Sequence, residues 1–99
     1  MEVKRGQVVR ALAGREKGGF YAVLRLDPPW AEIADGKRRP LERPKRKKLM
    51  HMAPSATVLR SEDLATNRKL RAALRAFRGE TSNQGGDDET QPLPYDTEV

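Results

Sequence analysis

Over its first 60 residues the chain sets apolar positions in short runs, at strand spacing rather than helix spacing, with glycine, proline and aspartate between them. The runs 7–12, 20–26, 30–34, 47–52 and 57–59 predict strands, and several short strands this close together predict a small barrel. Alternation places Val9 and Ala11 inward, with Val8 and Arg10 outward. It also places Phe20, Ala22, Leu24 and Leu26 inward, with Tyr21, Val23 and Arg25 outward. Asp27-Pro28-Pro29 separates the second run from Trp30, because proline brings no N–H to a ladder and restricts the residue before it. Asp35-Gly36 reads as a turn leading into a basic loop, Lys37-Arg38-Arg39-Pro40. A unit of this size buries only about 60% of its unfolded surface. Val9, Leu24, Ile33 and Leu59 should therefore each matter, truncation to Ala costing roughly 2 to 4 kcal/mol.

The spacing changes after residue 60. Leu70, Ala73, Leu74 and Phe77 follow helical periodicity, with Leu64 about two turns earlier, and predict one helix over 61–77. Ser61 stands at its expected cap, Glu62 and Asp63 in its first turn, and Arg75 and Arg78 near its end before Gly79. The apolar stripe suits docking on the barrel or on a partner. Residues 80–99 are rich in Gly, Asp, Glu, Thr and Pro, with too few apolar groups to offset ordering entropy, and predict a disordered acidic tail. The organisation expected is thus a barrel domain over 1–60, a helix over 61–79 and the tail over 80–99.

Charge sharpens this division. Residues 1–60 carry 15 Lys and Arg against 6 Asp and Glu, residues 61–79 carry 5 against 2, and residues 80–99 carry 6 acids and no base. So basic a body concentrates polyanions and gains from counterion release, which makes nucleic acid the leading partner class and anionic membrane a distant second. No amphipathic basic helix with bulky aromatics supports the membrane reading. With no cysteine, disulfides and thiolate metal sites are ruled out. The N-terminus has no apolar segment behind its charges, so the expected location is cytoplasmic. The single histidine, His51, pairs with no cysteine nucleophile, and the acids Asp87, Asp88 and Glu89 sit in the tail. Neither an enzyme, a metal site, a cofactor nor a small-molecule substrate is expected.

The stretch Gly6-Gln7-Val8-Val9-Arg10-Ala11-Leu12-Ala13-Gly14-Arg15-Glu16-Lys17-Gly18 reads as a strand entering a cationic, glycine-hinged loop, and it resembles the KOW motif of ribosomal proteins and transcription elongation factors. Residues 34–51, from Ala34-Asp35-Gly36 through the basic, proline-containing run to His51, are similar to the segment that follows the loop in the fourteen-e family of archaeal and eukaryotic large-subunit proteins. Together the two segments span about 6–59. The resemblance implies a mainly β fold, an SH3-like barrel of the KOW type, contacting RNA with its loop and basic strands. It assigns Gly14 to the motif's hallmark glycine and Lys17-Gly18 to the loop exit. The acidic tail departs from the family pattern, and a ribosome-associated or RNA-processing factor is as compatible as a ribosomal component.

The expected contact set is Arg15, Lys17, Lys37, Arg38, Arg39, Arg43, Lys45, Arg46, Lys47 and Lys48, gripping RNA backbone by guanidinium forks and ammonium point charges, with ribosomal RNA and ribosomal proteins as partners. Pro44-Lys45-Arg46-Lys47-Lys48 also has the form of a nuclear-localisation run, but reads better as a basic strand. His51 is either structural or a phosphate neighbour. Tyr21, outward by alternation, is equally suited to stacking on an unpaired base or to packing, whereas Trp30 suits core or rim packing. The tail either competes for the basic face or merely solubilises, and its PDZ-like ending Asp96-Thr97-Glu98-Val99 is short enough to arise by chance. A different class of function, a protein-interaction module of the transcription or translation machinery, would use the barrel or the Leu70/Leu74/Phe77 stripe.

Overall fold

Five antiparallel strands and one helix account for about half of residues 3–79, the part of the chain described by the computed structural model. The strands are β1 (Gln7–Ala11), β2 (Phe20–Asp27), β3 (Trp30–Ala34), β4 (Lys45–Lys48) and β5 (Met52–Val58), and the helix is α1 (Asn67–Leu74). They form one sheet in the order β4-β3-β2-β1-β5. The acidic tail expected over 80–99 lies outside the described residues.

The two edge strands are joined by a single 3₁₀ turn, Leu49–His51. The chain from Lys48 to Met52 can reach at most about 14 Å, whereas the edges of a flat five-stranded sheet lie about 19 Å apart. The sheet must therefore curl. It stops short of the closed barrel expected, since β4 and β5 remain unpaired edges. The single strand expected over 47–52 is in fact the end of β4, the 3₁₀ turn and the start of β5. Leu49 N donates to the Pro29 carbonyl at 2.8 Å and Leu12 N to the His51 carbonyl at 2.9 Å, so both neighbouring loops hold this turn.

Curling gives the sheet two buried faces. The concave side holds Val9, Ala11, Tyr21, Val23, Ala31, Ile33 and Met52, and the convex side packs Val8 and Ala22 against Leu64, Leu70 and Leu74. The expected alternation fails in two ways. Val8 is buried because the helix covers the second face. In β2 the phase is the reverse of that expected, so Tyr21 and Val23 join Val9 in the concave core and Ala22 joins Val8 on the helix side. Leu26 parts from its expected neighbours for another reason. A register shift between Val23 and Arg25 turns the strand over, so Phe20 and Leu24 pack towards the helix while Leu26 packs in the concave core.

The helix is shorter than its periodicity implies. Ser61–Leu64 forms a 3₁₀ turn, and the true N-cap is Thr66, whose hydroxyl accepts from Lys69 N at 3.1 Å. The apolar stripe lies on the chain's own sheet, with the Phe20 and Phe77 rings 5.7 Å apart. That placement takes Leu70 and Leu74 out of reach of a partner. Eight residues are too few for a stable isolated helix, so packing on the sheet holds it.

Candidate nucleic-acid interface

The β1–β2 loop turns where Gly14 and Gly18 adopt φ of +76° and +86°, a region that side chains rarely enter. Between them stands Glu16, the loop's one acid, 5% exposed. Its carboxylate accepts from Arg39 Nη2 at 2.7 Å and lies 3.4 Å from Lys47 Nζ, which also donates to the Ala13 carbonyl at 2.8 Å. Burial by itself would push the Glu16 carboxyl up. The hydrogen bond from Arg39, the charge of Lys45 and the bond from Lys47 outweigh it and hold the group below the usual carboxylate range. A Cβ on Gly14 would come within 3.2 Å of Lys47 Nζ, so glycine there also makes room for the ammonium.

A second loop, between β3 and β4, is fixed from both ends. Asp35 Oδ1 accepts from Lys37 N and Arg39 N, each at 2.9 Å, in a side-chain-closed turn. Gly36, at φ +82°, packs so closely that a Cβ would collide with the Asn67 carbonyl oxygen and Arg71 Cγ. Asn67, the first residue of α1, accepts from Leu41 N at 2.7 Å and donates to Glu42 Oε1 at 2.9 Å; that bond holds the Glu42 carboxyl below its usual value. The helix start thus braces the basic loop.

These anchors divide the expected contact set. Arg15, Glu16, Tyr21, Arg38 and Arg39 line a recess of about 320 Å³ between the two loops. Arg15 and Arg38 make no salt bridge with any described residue. Lys47 departs from expectation: it is buried and committed to Glu16 and Ala13, because the pleat of β4 turns it inward between exposed Arg46 and Lys48. Arg46 and Lys48 share the opposite side of the strand, 5.0 and 5.5 Å from the Trp30 ring centroid. Trp30 is half-buried at the rim, and the exposed Arg46–Asp27 pair at 3.3 Å adds little. Lys17, Lys37, Arg43 and His51 are exposed and Lys45 half-buried, none of them lining the recess.

Tyr21 is the correction that matters most. It is 3% exposed and too deep in the concave face to stack on a base. Burial, with the charges of Asp35 and Glu16, pushes its phenol up to about 12, so the hydroxyl keeps its proton at neutral pH. Sequence reasoning missed Glu16 as the hub of the site, although one acid among so many cations was a signal. Asn67 gave none, since its role depends on contacts 25 and 26 residues away in the chain. Among the described residues, no group of three His, Asp or Glu side chains converges as a metal site, and no helix is long and apolar enough to cross a membrane. No protein-family model matches this chain, and no curated protein matches it.

Proposed function

We propose that this chain is a non-catalytic, cytoplasmic RNA-binding protein, ribosome- or rRNA-associated, that grips RNA backbone through the Gly14 loop and the 37–48 segment. The strand order, with a 3₁₀ turn carrying the chain between the sheet edges, accords with an SH3-like barrel of the KOW type. The observation that carries the reading is the buried Glu16 junction. It ties Arg39 and Lys47 into the fold and leaves the neighbouring Arg15 and Arg38 without a salt bridge to any described residue, beside a recess that they line. A surface whose charges served only solubility would have no reason to lock two cationic loops together around a buried carboxylate.

A filter-binding titration against structured RNA tests this directly. Affinity should fall steeply as salt rises, the slope of log K against log salt counting the phosphates neutralised. Reversing Arg15, Lys17, Arg38 and Lys48 to Glu, with Lys47 left intact to preserve its pair, should abolish binding. A flat salt response would end the proposal.

A second reading, docking on a protein of the transcription or translation machinery, draws on Leu12 and Met50, exposed by 47% and 75% where the end of β1 meets the 3₁₀ turn. Partners that persist after nuclease treatment, and are lost in a Leu12→Ser, Met50→Ser variant, would favour it.

A further inference from the structure

A polar atom in the concave core has no partner among the described residues. Tyr21 is 97% buried by its 3% exposure, yet its hydroxyl makes no hydrogen bond with any described residue. Unpaired buried hydroxyls are uncommon, because each forfeits its bond to water without replacement. This one belongs to a residue lining the recess between the two basic loops, together with Arg15, Arg38 and Arg39. Gly19 gives the ring its room, since a Cβ there would come within 3.0 Å of the phenol oxygen. Of the lining cations, Arg39 is held by Glu16, while Arg15 and Arg38 have no counter-ion among the described residues. The other nearby acid, Asp35, is already accepting from two backbone amides.

We infer that the recess is a seat for one phosphodiester group of a bound RNA strand, with Arg15 and Arg38 neutralising its charge and the Tyr21 hydroxyl donating to one of its non-bridging oxygens. The inference rests on the RNA-binding reading and adds to it a defined subsite and a buried donor. The chemistry matches at each position. A phosphodiester offers acceptors only, and the recess presents a neutral O–H donor, two unpaired guanidinium forks and a third fork whose position Glu16 fixes. The carboxylate would repel an anion if it were alone, but Arg39 and Lys47 already balance it. Arg and Tyr donors so placed read charge and position, not base identity.

Fluorescence anisotropy with a labelled RNA hairpin carrying a single-stranded flank, run beside thermal denaturation, tests the assignment. Tyr21→Phe removes only the hydroxyl. It should weaken RNA binding about tenfold, as the loss of one charge-assisted bond would, while Tm holds or rises because an unpaired buried group is gone. Arg15→Gln with Arg38→Gln should lower the salt slope by about one, because the two forks share a single phosphate charge. One neutral methylphosphonate at the seated linkage should reproduce the Tyr21→Phe loss and make that substitution silent.

If wild type binds with a steep salt slope but Tyr21→Phe leaves affinity unchanged, the seat is refuted while the RNA-binding reading stands. A fall in Tm without a fall in affinity refutes it too, by making the hydroxyl structural. If an abasic nucleotide, rather than the methylphosphonate, silences Tyr21→Phe, the recess holds a base and the assignment fails. Wild type that shows no salt-dependent RNA binding overturns both readings together.

Discussion

Glu16 shows how one side chain can organise a surface made almost wholly of cations. Its ionised form is favoured in the fold, so its contribution is complete above the ordinary carboxylate value of 4.5 and is lost as pH falls through the lower folded value. Glu16→Gln should cost about 2 kcal/mol at neutral pH, because Lys47 is left buried without its counter-ion. The variant's stability should also decline less steeply than wild type's below pH 4.5, as urea titrations across acid pH would show. Glycines in the two loops separate conformational strain from collision. Gly18, at φ +86°, has open space around its missing Cβ, so Gly18→Ala should cost only about 1 kcal/mol. Gly36→Ala adds a clash with the Asn67 backbone and should cost about 3 kcal/mol or more by thermal denaturation. Nothing in the local sequence distinguishes these two positions, since the difference comes from a helix that begins some 30 residues later.

At the scale of elements, the sequence declared strands well and the edges of the helix poorly. Three of the five runs, 7–12, 20–26 and 30–34, coincide closely with strands, because alternation and proline punctuation are local signals, whereas the run at 57–59 catches only the last two residues of β5. The 47–52 run failed because Lys48 to Met52 must turn a corner between sheet edges, a demand set by topology. Ser61-Glu62-Asp63 has the composition of a helix start, and it does form a turn: Arg60 N donates to Asp63 Oδ2 at 3.3 Å. The α-helix proper waits for Thr66, whose hydroxyl caps it. Thr66→Ala should therefore cost about 1 kcal/mol, and Leu70→Ala, which empties a fully buried position on the convex face, about 3 kcal/mol. Chemical denaturation of both variants checks the order. Equal costs would mean that the helix is held by its cap as much as by its packing.

For the molecule as a whole, two thin cores share one sheet, and the candidate site sits where its loops converge. The basic face was legible as composition, but not which cations are free. Lys47 and Arg39 read the same as Arg38 in the sequence, and only the fold reveals that two of the three are spoken for by Glu16. The helix was legible as an amphipathic stripe, yet its link to the site was hidden. Asn67 both opens α1 and clasps the loop that carries Arg38 and Arg39. Whatever steadies one end of that clasp must steady the other, since linkage between binding and local opening is reciprocal. Saturating RNA should accordingly slow amide hydrogen exchange at Leu70, on the far side of the sheet from the concave core, and a weakened hinge at Asn67 should cost affinity without altering a single cation. The small helix thus acts as a tensioner for the grip, a remote part through which a change in folding strength becomes a change in hold.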